Sequence, residues 1–426
     1  NHFNFLIICM KILTYACLML CILSGFLFSA CSDDNDQSEI ETRRPIELSQ
    51  QTRATAGDLL EFYVNFTIDM AKSGDADIKN ENIAVSPISA AMVFAMTANG
   101  IEGSNQKEYL EYLGTSDLNA LNSLCASLIS QLPEADKKVS LNLANSIWAN
   151  KCFDNNLSQD YVSDMNLYFN AEIQNMDFMN DYDNTLLSIN NWCASKTGGI
   201  IETNFKNLNT NTLVMLLNAM SFKAPWNNKI FDASLTKADI FHGSKGDSEV
   251  MMMESEFYQG DYTNDGDFEY FNIKFGNKAF YMEIVLPAEN MSIQEATEKL
   301  SYERMLALRK EITSTFIKTY MPKFSIKNNC DINKMFEATN RREIINNLDF
   351  TMFSPQINGN ICFSQSTSIS VDESGAVAAS VTSGDIPIIA LPVEDKVTVK
   401  IDRPFFFFIN EYSTAACIVS GRIANI

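Results

Sequence analysis

The chain has 426 residues, 46% hydrophobic and 20% charged, a balance that excludes disorder throughout and suits one large domain or two small ones. Its formal net charge of −21 repels nucleic acid and anionic headgroups, so neither is expected as a partner. Histidine, the usual residue of acid–base and metal chemistry, occurs twice, as His2 and His242. With no H-E-x-x-H, no G-x-x-x-x-G-K-[ST] and no G-x-S-x-G, no catalytic residue, metal or cofactor is expected.

The first element is a targeting segment. Met10 and Lys11 precede an apolar run over 12–28 and then Ser29-Ala30-Cys31, the charged start, hydrophobic middle and small-residue end of a signal peptide over 1–30, with translation starting at Met10. A membrane-spanning anchor of marginal length is the alternative for this run. The small pair before a cysteine resembles the lipobox of bacterial lipoproteins. That resemblance implies acylation of Cys31, each buried methylene adding roughly 0.8 kcal/mol, and an exported protein held on the outer membrane at its periplasmic or cell-surface face. The acidic run 32–36 and the polar stretch to Thr55 predict a flexible tether over 31–55, with the folded domain over 56–426.

From Gly57, the spacing of Leu59, Tyr63, Phe66 and Met70 predicts a helix with one buried face. Residues 82–85 predict a short strand. Ser86 and Pro87 supply an N-cap and a first-turn proline for a helix through Met92 and Met96 that ends at Asn99-Gly100. Further strands are predicted over 141–149, 214–222, 279–286, 315–321, 368–372, 396–401, 405–409 and 415–421, with helices between the earlier ones. His242 falls at a strand end before a turn, where it is expected to be a bystander. The six cysteines beyond Cys31 are Cys125, Cys152, Cys193, Cys330, Cys362 and Cys417; none form a C-x-x-C pair, and most are expected as buried small hydrophobes. Long strands with irregular insertions and no fixed repeat predict an α+β fold with large sheets.

The last third narrows this further. Val399-Lys400-Ile401-Asp402-Arg403-Pro404-Phe405-Phe406-Phe407-Phe408-Ile409 resembles the C-terminal signature of serpins, and Gly421-Arg422-Ile423-Ala424-Asn425 resembles their usual ending. Other blocks similar to the family occur in the same order: Ser86-Pro87-Ile88-Ser89, Leu217-Asn218-Ala219-Met220-Ser221-Phe222-Lys223-Ala224-Pro225-Trp226, Met251-Met252-Met253, Tyr320-Met321-Pro322-Lys323-Phe324 and Val371-Asp372-Glu373-Ser374-Gly375. The resemblance implies a monomeric protease inhibitor that is not itself an enzyme. It implies three β-sheets, about nine helices and an exposed reactive-centre loop between a hinge at Glu373 and the strand near Lys396. A target protease cuts that loop, which then inserts into the central sheet and traps the protease as a covalent complex.

Whether this loop suits insertion can be read from its residues. In a strand, alternate side chains point to opposite faces. Ala376, Ala378, Ser380 and Thr382 form one set after Gly375, all small; Val377, Ala379, Val381 and Ser383 form the other. None is charged, aromatic or proline, so burial meets neither an unpaired charge nor a missing ladder donor. Family spacing from Glu373 implies a reactive bond between Ile389 and Ala390, within two residues, with Ile388 and Leu391 as neighbours that fall in that range. An aliphatic residue there suits the shallow apolar pocket of an elastase-like serine protease, and Pro387 favours an extended loop. A papain-like cysteine protease is the alternative target, and a non-inhibitory carrier or chaperone the alternative role. The resemblance also implies a breach formed by Lys323, Trp226 and Glu373, with an ion pair holding the hinge. It implies a shutter formed by Ser86, Ser89, Asn218 and Gln365, with Gln365 where the family usually has histidine. Glutamine can donate and accept, so the gate is expected to be kept and its pH sensitivity lost.

Overall fold

The computed structural model describes residues 43–73, 82–151, 156–200, 205–341, 344–345, 348–354, 360–376 and 396–426. The expected signal peptide, Cys31, Ala378, Ser380, Thr382, Ile389 and Ala390 lie outside the described residues. Folded structure starts earlier than the polar stretch suggests. The first helix, Gln50–Lys72, is capped by Ser49, whose side chain accepts from the backbone N–H of Thr52. Residues 43–55 are therefore not tether: Ile46 is buried, as are Thr52 and Thr55 on the helix face whose apolar positions continue through Leu59 and Phe66. Threonine methyls carry the apolar stripe that a count of hydrophobic residues overlooks.

Nine α-helices and three sheets are present among the described residues. The helix Pro87–Ala98 is buried along its whole length and starts as its sequence predicts, with Ser86 as N-cap and Pro87 in the first turn. Ten strands form the larger sheet. Its strand Thr313–Pro322 pairs through one half with Tyr258–Asn264 and through the other with Gly246–Glu254, joining what would otherwise be two sheets. The four phenylalanines at Phe405 to Phe408 lie in a strand with partners on both edges, Phe280–Pro287 and Cys417–Ile423, and are buried without remainder.

The central sheet has six strands: β1 (Ser140–Asn150), β2 (Glu172–Met176), β3 (Thr212–Pro225), β4 (Phe324–Asp331), β5 (Asn360–Asp372) and β6 (Gly375–Ala376). Their spatial order is β4-β5-β6-β3-β1-β2. One face of β3 contributes Val214, Leu216, Met220 and Phe222 to the main core; the other contributes Met215, Leu217 and Ala219 to a smaller core with Trp148 and Trp192. A strand buried on both faces is a near-continuous apolar run, which is why its central part was legible in sequence. Strand β5 is much longer than its predicted 368–372, because its polar residues alternate with Ile361, Phe363, Ile369 and Val371 on one buried face.

Candidate functional site

The site is a slot in the central sheet. At the lower end β3 and β5 pair in parallel, Thr212 with Asn360 and, after a bulge, Val214 to Leu216 with Ile361 to Phe363. At the upper end the two-residue strand β6 lies between them. Gly375 pairs with Asp372 of β5 and Pro225 of β3, and Ala376 pairs with Val371 and Ala224. Between these ends, over 217–223 of β3 and 364–370 of β5, no pairing joins the facing edges among the described residues. Unpaired edges inside a sheet are a template for another strand.

Gly375 makes the upper end possible. Its φ is +134°, and a Cβ there would meet the Ala224 carbonyl oxygen at 2.0 Å. With Gly375 buried and Ala376 at 0% exposure, the hinge is not wholly part of an exposed loop; its first two residues already belong to the sheet.

Above the slot, Glu373 receives two donors. Lys323 Nζ lies 2.7 Å from Glu373 Oε1, and Thr236 Oγ1 donates to the same oxygen at 2.6 Å. Partial burial opposes ionisation of this carboxyl, but the bonds from Lys323 and Thr236 outweigh it and hold the pKa below the ordinary glutamate value. Trp226 fixes the backbone on either side. Its Nε1 donates to Asp372 O at 2.8 Å, its backbone N–H donates to Ser374 O at 3.2 Å, and its ring stacks on Phe275 with centroids 4.5 Å apart. The structure thus brings Lys323, Trp226 and Glu373 together. Thr236 was missed, and no local signal marks it: it lies 137 residues from its partner, just before the strand Lys237–Gly243.

Lower down, Gln365 binds the start of the Pro87–Ala98 helix at two points. Its Oε1 accepts from the Ser86 backbone N–H at 2.7 Å, and its Nε2 donates to Ser86 O at 2.8 Å. Ser86 Oγ donates to Ser89 Oγ at 2.8 Å. Asn218 stands apart from these three: its Nδ2 donates across the strand pair to Asn145 Oδ1 at 2.8 Å. Asn145 in turn donates to Phe169 O at 2.9 Å and is a member of the group that the sequence reading did not include. Gln365 and Asn218 therefore sit on the two strands that border the slot, each bound away from it.

Other candidates lie elsewhere. His242 is on a surface hairpin, 2.8 Å from Asp247 Oδ1, and its pKa is raised by that hydrogen bond and charge. Cys125, Cys193 and Cys417 are buried thiols, and burial pushes Cys125 up to about 12.

A family model described as Serpin (serine protease inhibitor) matches residues 62–426. Serpin B8 of Homo sapiens is 24% identical over 382 residues, covering 86% of this chain and 99% of its own. A leukocyte elastase inhibitor of Xenopus laevis is 22% identical, covering 85% of this chain and 97% of its own. The crystal structure of tengpin, a thermophilic serpin in its native state, superposes with a TM-score of 0.76 at 28% identity, covering 90% of this chain and 97% of that one. The family model, the relatives and the fold agree along nearly the whole folded length, and the chain belongs to the serpin family of protease inhibitors.

Proposed function

We propose that the protein is a suicide-substrate inhibitor of elastase-like serine endopeptidases, cut near Ile389-Ala390. The observation that carries this reading is the slot itself. Its upper end is occupied by the residues that lead into the loop, paired as a strand to both neighbours. Strand addition is an established action of serpin loops, and here its first rung is in place. After the protease serine attacks the Ile389 carbonyl, the bond to Ala390 breaks and the new amine leaves. The acyl-enzyme keeps residue 389 and everything before it attached to the protease. Continued entry of 377–383 between β3 and β5 then pulls the enzyme along, and no residue of that segment brings a charge into the sheet. Elastase-type specificity rests on the aliphatic residues around 389 and the apolar pocket they suit. Display at a membrane rests on the sequence around Cys31.

The test is to mix residues 32–426 with an elastase and analyse the products by denaturing gel and mass spectrometry. The expected result is a covalent complex and a released peptide beginning at Ala390 or within two residues of it. Clean cleavage without a complex would overturn inhibition of that enzyme. A complex with a papain-like protease instead would move the target class, and cleavage by any protease without a gain in thermal stability would sink insertion altogether.

A further inference from the structure

A cavity of about 410 Å³ opens beside the ten-stranded sheet. It is bounded by the strands Tyr258–Asn264 and Phe268–Phe275, by Ser314 near the start of the strand Thr313–Pro322, and by the turn 227–230 that follows β3. Asn227 pins that turn to the sheet, its Nδ2 donating to Gly276 O at 2.8 Å. None of the lining residues borders the slot. The volume falls within the range of small-molecule sites, about 300–1,000 Å³.

One lining residue carries an unmet hydrogen bond. Asn272 is 7% exposed; its Nδ2 donates to Asp261 Oδ2 at 3.0 Å, and its Oδ1 is buried with no partner. Buried polar groups in folded proteins are nearly always bonded, so this oxygen calls for a donor. The rest of the lining shows which donor suits it. Lys274 Nζ lies 3.9 Å from Asp261 Oδ2, so these two charges offset each other and demand no counter-ion. Lys278 is exposed, where water and salt screen it. Exposed Gln259 and Asn228 add amide groups, which both donate and accept. The Tyr258 hydroxyl is paired with Thr319 Oγ1 at 2.9 Å, so Tyr258 and Ile230 contribute apolar surface to the cavity.

An ammonium donates to Asn272 Oδ1 but accepts nothing from the Asn228 and Gln259 amides. An ionised carboxylate or phosphate has no proton to give that oxygen. A hydroxyl does both, and several hydroxyls on a compact carbon ring suit a small site with mixed polar and apolar walls. We propose that this cavity binds a neutral hexose, free or as the terminal residue of a glycan, with one hydroxyl donating to Asn272 Oδ1 and the apolar ring face against Tyr258 and Ile230. Asn272 is its specificity-determining residue. A ligand that only accepts leaves the buried oxygen unbonded, and that rejects it. The site is independent of the loop and of protease inhibition.

The experiment is saturation-transfer NMR on the purified protein with glucose, galactose and mannose, each as the free sugar and as the methyl glycoside, and with glucuronate as an anionic comparison. The expected result is transfer to at least one neutral compound, with Kd on the order of 1 mM. Asn272→Leu weakens that binding at least about tenfold. Ser314→Trp, at an exposed strand position, blocks the mouth without touching the core, and serves as the second test should Asn272→Leu fail to fold. Binding that survives methylation at the anomeric carbon assigns the site to a glycan end, and binding lost on methylation assigns it to free sugar; either supports the proposal. No transfer from any neutral compound at about fifty times that concentration would overturn it. So would binding of glucuronate alone, or binding that both variants leave unchanged.

Discussion

The strand Phe280–Pro287 of the ten-stranded sheet and the strands β3 and β5 of the central sheet differ in what their edges leave open. In the ten-stranded sheet, Phe280–Pro287 is paired on both edges, and a charge buried within it is fully bonded. Glu283, 1% exposed, receives Arg309 at 2.9 and 2.7 Å, Tyr270 at 2.6 Å and Asn410 at 2.9 Å. In the central sheet, β3 and β5 leave facing edges open, and Asn218 and Thr367 leave side-chain atoms unbonded. Phe280–Pro287 has no edge left for another strand; β3 and β5 have a ladder to gain. The paired and the open edges thus lie in separate sheets of one folded unit.

Removing the cation that the helix Tyr302–Lys310 sets against buried Glu283 is the largest expected effect that tests this contrast. Arg309→Ala strands the Glu283 carboxylate and is expected to cost about 3–5 kcal/mol, by the same amount in the uncleaved and the loop-cleaved protein. Urea unfolding of both forms checks it, and a loss confined to one form would break the separation.

A charge placed in the slot should act the other way. Ala378→Asp, two residues past Ala376 and so on the same inward set, would bring a carboxylate into the sheet on entry, a penalty of at least about 2 kcal/mol. The expected outcome is that protease mixing yields cleaved inhibitor in place of covalent complex, scored on a denaturing gel.

The bidentate grip of Gln365 on Ser86 has no titrating group, so it is expected to hold equally across neutral pH. Gln365→His replaces it with a buried ring that must lose a bond or a proton match. Burial favours the neutral ring, so its contribution should be present above the ordinary histidine pKa of about 6.5 and lost as pH falls through a lower folded value. Urea unfolding measured against pH would show the variant gaining a further slope of up to about 1.4 kcal/mol per unit below about 6.5 over that of the parent.

The smallest effect concerns the hinge clasp. The pKa of Glu373 is held down in the folded protein, so its stabilisation is complete above the ordinary glutamate value of about 4.3 and is lost as pH falls through the lower folded one. Lys323 is 38% exposed, so solvent screening keeps the pair to about 1 kcal/mol or less. Glu373→Gln should therefore loosen the hinge slightly at neutral pH and flatten its acid response. Tryptophan fluorescence followed through an acid titration checks this, because Trp226 is bonded to the backbone on both sides of Glu373.

Much of the fold was legible without coordinates. The two-sided apolar run of β3 and Ser86-Pro87 at a helix start are local patterns, and local patterns report strand faces and caps. The early start of the first helix was not legible, because Thr52 and Thr55 bury polar-looking residues on its apolar face. Several strands of the ten-stranded sheet, Lys237–Gly243 and Gly246–Glu254 among them, carry mixed burial that no simple alternation marks.

The sequence by itself determined the family, and it marked along the chain the residues that the structure brings together, Lys323, Trp226 and Glu373 in one group and Ser86, Ser89 and Gln365 in another, since each mark depends on residue type and near spacing. Tertiary structure decided the rest. Thr236 reaches Glu373 across 137 residues and Gln365 reaches Ser86 across 279. It also decided that Gly375 and Ala376 are already a strand and that Asn218 and Thr367 lie on the two strands that border an open slot. Those facts follow from strand register between distant segments, and register is set by the packing of the whole sheet, to which no single stretch of sequence has access.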